Sequence, residues 1–161
     1  MDFETVAEHE IGHALGFISA VDDLDGGATT AQPWMLDLFR FRNLAGSKPA
    51  NAAQLTTLAR NLVPGADDVT SDATLIDARM STGITRGDGN QASHWKADDI
   101  TGSNIGIMDP TLGFTQVELA TEADFRAFDL IGYNIISAPE PSTLVLLLGG
   151  LGFAGMRRRR G

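Results

Sequence analysis

Two histidines spaced four residues apart are the feature that most constrains this chain. Residues 9–13 read HEIGH, which is an HExxH pattern. On an α-helix, residues i and i+4 lie on the same face, so both imidazoles can reach one metal ion. The pattern therefore predicts a helix over residues 3–18 that presents His9 and His13 as metal ligands. Glu10, next to the first ligand, is then placed to act as a general base.

A third ligand is needed, since a catalytic zinc site takes three protein ligands and keeps one position open. The remaining histidine is His94, in the segment SHWKADD. Carboxylates also bind zinc, and the residues alone leave several of them open as alternatives. These are Asp22, Asp23 and Asp25 directly after the helix, and Glu118 and Glu122 far downstream. The acidic turns at residues 22–25 and 88–90 offer oxygen ligands that calcium could use, but neither matches an EF-hand loop, so we interpret them as ordinary loops.

The charge balance excludes one class of partner. The 161 residues carry a formal net charge of −9, with 21 acidic and 12 basic side chains. The last four basic side chains form a single run, residues 157–160. Such a surface repels phosphate backbones, so we expect no nucleic-acid partner. Cysteine is absent, which excludes disulfides, thiolate metal sites and cysteine nucleophiles.

An uncharged segment near the end of the chain predicts a membrane helix over residues 142–156. As a helix its 15 residues would span about 22 Å, short of a hydrocarbon core of about 30 Å. The arginines that follow, Arg157, Arg158, Arg159 and Arg160, can snorkel to the headgroups and favour a cytoplasmic C-terminus. A short linker, residues 137–141, precedes the helix.

The linker contains Pro139, Glu140 and Pro141. This Pro-Glu-Pro, the apolar segment and the arginine run resemble the PEP-CTERM sorting signal of Gram-negative bacteria. The resemblance implies export and recognition by an exosortase-type membrane enzyme. It also implies transient anchoring in the inner membrane and sorting to the cell surface or extracellular matrix. Residues 1–8 have no signal-peptide pattern, so we expect the true start to lie upstream of Met1.

The active-site pattern extends further along the chain. Residues 9–17 read HEIGHALGF, an HExxHxxG form that resembles the metzincin clan of zinc peptidases. In that clan the glycine, here Gly16, turns the chain beneath the metal. A third histidine commonly follows three residues later, but Ser19 occupies that position here. The standard third ligand is therefore missing.

The pair His94-Trp95, followed by Met108, resembles the leishmanolysin-like branch of the metzincins. There the third histidine follows a long insertion and precedes the methionine of the Met-turn. The resemblance implies His94 as the third ligand of one zinc ion, beside the two helix histidines. It implies Met108 as the apolar Met-turn residue below the site.

Over residues 3–161 the chain also resembles the bacterial PEP-CTERM metalloproteases. Shared features are the active-site helix, LDLFRF at residues 36–41, the MDP at residues 108–110, and an Ile-Gly-aromatic ending at Tyr133. The resemblance implies a zinc endopeptidase that cleaves protein or peptide substrates with Glu10 as base. The alternative is an inactive fragment, or a surface interaction protein that retains the helix. Tyr133 receives no catalytic role.

The expected fold is α+β, with a metzincin-like catalytic domain over residues 1–136 and the linker and sorting signal over residues 137–161. The catalytic domain would comprise the active-site helix, a loop-rich lower subdomain with short strands, and a C-terminal helix. We expect the N-terminal sheet of such peptidases to be missing. The apolar side chains Val6, Ile11 and Leu15 would then be exposed, and the chain alone would be poorly stable or inactive.

Local patterns predict the other elements of the chain. Apolar and aromatic residues favour a strand over residues 35–42 and a short helix over residues 52–62. Gly, Asp, Ser and Thr indicate loops over residues 22–33 and 64–93. A second long helix is predicted for residues 121–131, with Thr121 as its N-cap and Asp124 at position N3.

Overall fold

A computed structural model describes residues 2–74, 76–111, 113 and 116–134. Within these residues the protein is α+β, with short helices around a small antiparallel sheet. In chain order the helices are α1 Phe3–Ala14, α2 Val21–Asp25, a 3-10 helix Leu36–Phe39, α3 Ala52–Thr57, α4 Asp98–Thr101 and α5 Glu122–Ile131. The strands are β1 Arg40–Arg42, β2 Asp68–Ser71 and β3 Asp77–Met80.

Helix α1 forms as predicted but ends at Ala14, four residues earlier than expected. At its start the side chain of Asp2 accepts a hydrogen bond from the Thr5 N–H at 2.9 Å. At its end the Phe17 N–H donates to the Gly12 carbonyl at 3.0 Å, and Gly16 has a φ of +105°. This is a Schellman ending, in which glycine adopts the left-handed conformation at little cost. Gly16 therefore ends the helix and turns the chain.

The sheet lies largely in a segment that was predicted as loop. Strands β1, β2 and β3 pair in that order, with Arg40 opposite Thr70 and Val69 opposite Arg79. The prediction of a loop over residues 64–93 is therefore wrong at β2 and β3. In β2 most of the buried side chains are polar. Asp68, Thr70 and Ser71 are all buried, so the strand lacks the apolar alternation by which strands are recognised.

Residues 35–42 do not form the predicted continuous strand. They form the 3-10 helix and then the three-residue β1. The reason is the buried carboxylate of Asp37, whose Oδ2 accepts the N–H groups of Trp34 and Ala20, each at 2.9 Å. These hydrogen bonds stabilise a turn in a segment whose apolar and aromatic residues favour a strand.

Two further boundaries differ from the sequence prediction. The predicted loop 22–33 begins with helix α2, which ends at Asp25. The helix predicted over residues 52–62 ends at Thr57, because the backbone of Leu58 is extended. None of the residues of α3 is buried, so packing does not lengthen it.

The core is built where α5 packs against the loops around the metal-ligand candidates. Thr121 is the N-cap of α5 and Asp124 completes a capping box, which confirms that prediction. The buried apolar cluster contains Phe17, Leu36, Ile76, Met80, Trp95, Ile107, Met108 and Ala127. One side of α1 remains outside this core: Ile11 is 55% exposed and Leu15 40%, whereas Val6 is half-buried.

The predicted linker and membrane helix, residues 137–156, lie outside the described residues, as does the arginine run. Within the described part of the chain, every helix is too short or too polar to cross a bilayer.

A buried arginine ties the sheet to the loops beside it. Arg40 is 1% exposed, and its Nε donates to Asp68 Oδ2 at 2.9 Å. Its other nitrogens donate to the carbonyls of Ala92 and Ser81. Burial outweighs the nearby guanidinium and raises the pKa of Asp68. Removing either member of this ion pair would therefore leave the other buried without its partner, which destabilises the fold.

We expect Arg40→Ala to lower the free energy of unfolding by about 3–5 kcal/mol, because it leaves Asp68 buried without its cation. Arg42→Ala, on the exposed end of the same strand, is the matched control and should change stability by less than about 0.5 kcal/mol. Urea denaturation of the three proteins measures the difference. Equal midpoints for both variants would contradict a structural role for the buried pair.

Candidate metal centre

Three imidazoles from two distant parts of the chain converge on one point. His9 and His13 lie one turn apart on α1, and His94 lies in the loop after β3. The Nε2 atom of His9 is 3.1 Å from that of His94, and the Nε2 atom of His13 is 3.2 Å from each of the others. The structure thus brings together the three histidines named from the sequence.

Backbone carbonyls orient each of the three rings. The Nδ1 atom of His9 lies 2.8 Å from the Ile107 carbonyl, and that of His13 lies 2.9 Å from the Phe17 carbonyl. The Nδ1 atom of His94 lies 3.2 Å from the Gln91 carbonyl. A carbonyl only accepts, so each Nδ1 carries the hydrogen and each Nε2 presents its lone pair. This partnership is typical of metal-binding histidines.

The donor atoms fit a tetrahedral zinc ion. Two imidazole nitrogens that share one zinc at about 2.0–2.1 Å in tetrahedral geometry are about 3.3 Å apart, close to the observed separations. Three lone pairs at this spacing repel one another unless a cation lies between them. Among the described residues, this is the one group of three or more potential ligands whose donor atoms converge.

Burial also favours the neutral form of His94. The pKa of His94 is lowered from its ordinary value to about 4, chiefly by burial and further by the neighbouring rings of His13 and His9. A neutral imidazole is the form that binds metal.

Asp22 holds the loop that carries His94. Its Oδ1 accepts the Ala92 N–H at 2.6 Å, and its Oδ2 accepts the Ser93 N–H at 3.0 Å and the Ser93 hydroxyl. Sequence reasoning named Asp22 only as an alternative ligand. Its partners lie 70 and 71 residues away, so no local pattern gives a signal for this role.

Three of the other carboxylates considered as ligands lie elsewhere, whereas Glu118 lines a groove beside His9 but does not join the converging histidines. Asp25 is buried and accepts the N–H groups of Thr85 and Arg86, each at 2.8 Å; the first of these is the largest cause that lowers its pKa. Asp23 is exposed. Glu122 is exposed on α5 and pairs with Arg126.

Ser19, at the position of the third histidine in the common metzincin pattern, has a different role. It is buried, its hydroxyl donates to Asp37 Oδ1 at 2.7 Å, and its N–H donates to the Ser93 hydroxyl at 2.9 Å. Ser19 therefore links the end of α1 to the loop that carries His94.

Met108 and Gly12 form a close contact beneath the ligands. Met108 is fully buried, and a Cβ atom added to Gly12 would lie 2.3 Å from its Sδ. Any side chain at Gly12 would therefore displace the methionine. The sequence indicated the methionine, but it gave no reason to single out this glycine within the pattern.

Asp124 joins the turn at Met108 to helix α5. Its carboxylate accepts the Ile107 N–H at 2.9 Å and the Trp95 Nε1–H at 2.8 Å, besides the Thr121 N–H at 2.7 Å. The sequence predicted only the helix-capping part of this role. The same residue also fixes the segment whose Ile107 carbonyl orients His9.

Glu10 is exposed and lines a groove of about 260 Å³ beside His9. The other lining residues are Thr5, Val6, Ile107, Asp109, Pro110 and Glu118. A carboxylate next to a ligand and open to a groove can exchange protons with water and a bound substrate. Tyr133 is exposed, and its ring contacts Phe128.

Comparison with known protein families gives a match at the end of the chain. Residues 137–160 match the family described as the PEP-CTERM protein-sorting motif. This motif implies recognition by exosortase, a membrane enzyme, and export with surface sorting in Gram-negative bacteria. No curated protein and no solved structure matches the chain.

We expect Asp22→Ala to weaken zinc binding by about 10–100-fold, because the loop that carries His94 loses three hydrogen bonds. Asp23→Ala, at the exposed neighbouring residue, removes the same charge and is the matched control. Competition with a chromogenic chelator measures the affinities. An equal effect of the two substitutions would show that charge, and not loop position, is responsible.

Proposed function

We propose that this protein is a zinc-dependent endopeptidase of metzincin type, exported and sorted to the cell surface. The observation that carries the proposal is the convergence of three imidazoles whose Nε2 atoms lie 3.1–3.2 Å apart, beside a groove lined by Glu10. Three nitrogen ligands with room for a fourth are typical of catalytic zinc, whereas structural zinc sites are closed by four protein ligands.

His9, His13 and His94 would hold the ion through Nε2. A zinc ion bound there would supply Lewis-acid chemistry, lowering the pKa of a water and polarising a substrate carbonyl. The three carbonyl partners of the Nδ1 atoms keep the rings in this orientation.

Glu10 has the role of general base. It lies next to His9 in the sequence and lines the same groove, so its carboxylate can take a proton from the attacking water. The same carboxylate then gives that proton to the leaving amine as the peptide bond breaks. The exposure of Glu10 to the groove leaves it free to alternate between these states.

The metzincin assignment is supported by the HExxHxxG pattern and by the residues below the ligands. Gly16 turns the chain after α1, and Met108 packs under Gly12 between the two helix histidines. The third histidine comes from a distant loop, as in the leishmanolysin-like branch that the sequence resembles.

The sorting motif sets where such an activity would operate. An exported peptidase recognised by exosortase would be held transiently in the inner membrane by residues 142–156 and would then act on proteins at the cell surface or in the extracellular matrix. The absence of cysteine means that bound metal, and not disulfides, would supply added stability outside the cell.

Glu10→Gln tests the catalytic role. We expect the variant to keep its zinc and to lose about 10²–10⁴-fold of its casein-hydrolysing rate, because the amide cannot take the proton. Glu8→Gln, on an exposed position of the same helix, is the matched control and should retain the rate. Zinc-loaded wild-type protein that cleaves nothing would favour the alternative, an interaction protein that retains the metal site.

His94→Ala tests the third ligand. With free zinc about 100 times above its dissociation constant, we expect zinc to stabilise the wild-type protein by about 2.7 kcal/mol. The variant should lose most of this gain and most of its bound zinc. Gln91→Ala keeps the backbone carbonyl that orients His94 and should behave like wild type. Thermal unfolding with and without zinc, together with metal analysis, provides the measurement; unchanged zinc content in His94→Ala would point to a carboxylate ligand.

A further inference from the structure

The groove beside the metal centre has room for about one side chain. Its volume of about 260 Å³ is below the ~300–1,000 Å³ of sites that enclose a drug-sized ligand. Helix α1 contributes His9 and Glu10 to its lining, and the chain after the Met108 turn contributes Asp109, Pro110 and Glu118. A side chain bound here would lie next to both a metal ligand and the proposed base.

Asp109 carries a buried oxygen for which the described residues provide no hydrogen-bond partner. The residue is 2% exposed, and its Oδ1 accepts the N–H of Thr111 at 2.8 Å and the Thr111 hydroxyl at 2.6 Å. Within the described residues, its Oδ2 accepts no hydrogen bond. A buried carboxylate oxygen left unsatisfied costs free energy, so this position is suited to a donor supplied from outside the chain.

Two further carboxylates, Glu118 and Asp98, are close enough to Asp109 to affect its charge or to be affected by it. Glu118 lines the same groove. Asp98 Oδ1 lies 3.2 Å from the Thr111 hydroxyl that also contacts Asp109, and one hydroxyl hydrogen can serve only one of them. In the described part of the chain, no lysine or arginine forms an ion pair with any of these three acids.

The acids are held in an environment that disfavours their charge. Burial is the main cause of the raised pKa of Asp109, and the charge of Asp98 adds to it. Burial also raises the pKa of Glu118, with Asp109 as a further cause. A cation in the groove would stabilise the ionised form of both groups.

The arrangement suits an organic cation better than a metal ion. The described carboxylates do not converge as ligands, since the histidine group is the one cluster close enough to hold an ion. The groove also has apolar lining from Val6, Ile107 and Pro110. A long aliphatic stem with a charged end can contact both kinds of surface.

We propose that this groove is a subsite for a lysine or arginine side chain of the substrate, with Asp109 Oδ2 and Glu118 receiving the cationic group. The inference rests on the proposed peptidase function and adds a substrate preference to it. The peptide bond beside the bound residue would then lie at the metal centre.

Binding can be measured separately from cleavage. Two short peptides that differ only in one residue, lysine or norleucine, are titrated into the zinc-loaded full chain by calorimetry. We expect the lysine peptide to bind at least about tenfold more tightly, as for one hydrogen bond to a charged group. Equal binding, or tighter binding of norleucine, would overturn the subsite.

The double variant Asp109→Asn, Glu118→Gln should remove this preference by neutralising both carboxylates. Asp129→Asn, at an exposed acid on α5 that does not line the groove, matches the loss of one charge in the single variant Glu118→Gln and should keep the preference. If the double variant fails to fold, Glu118→Gln alone should reduce the ratio of the two affinities. A preference that survives in folded variants would also overturn the proposal.

Casein hydrolysis and zinc content, measured on the same samples, separate the two proposals. Zinc-dependent hydrolysis without a lysine preference would reject the subsite and leave the peptidase function in place. A lysine preference in binding without any hydrolysis would reject the peptidase function and leave a cation-binding groove.

Discussion

Aspartate carboxylates, three of them buried and that of Asp22 half-buried, hold the loops of this protein in place. Asp22, Asp25, Asp37 and Asp124 each accept backbone N–H groups from distant segments. A carboxylate that accepts several N–H bonds fixes two chain segments without requiring a strand or helix between them. This matters because the sheet has only three short strands, which leaves many backbone groups in loops to be satisfied by side chains.

The metal centre depends on these bonds. Asp22 positions the loop of His94, and Asp124 fixes the segment whose Ile107 carbonyl orients His9. The orientation of the three imidazoles therefore depends on residues that do not contact them, and such outer residues are common around metal sites. The same acids explain part of the charge of the chain, since several of them are structural and buried. The folding of these loops and the convergence of the three imidazoles are thereby coupled.

Sequence reasoning succeeded where the determinant is local. Helix spacing predicted the shared face of His9 and His13, and the Thr121–Asp124 capping box was visible as a pattern of two residues. It failed for β2, whose Asp68 is buried against Arg40, 28 residues away. It also failed for residues 35–42, where Asp37 imposes a turn. Both errors arise because a polar residue that is buried with distant partners looks like a loop residue in the sequence.

The sequence by itself determined two of the converging histidines, the acid beside them and the sorting motif, because each depends on spacing along a short segment. Which third residue joins the two histidines was decided by the tertiary structure. Asp22 and His94 were both chemically competent, and only the path of the loop decides that the histidine reaches the two imidazoles while the aspartate binds the loop. The sequence did not predict the acidic groove either. Glu10 and Asp109 line the same groove only because α1 packs on the turn at Met108.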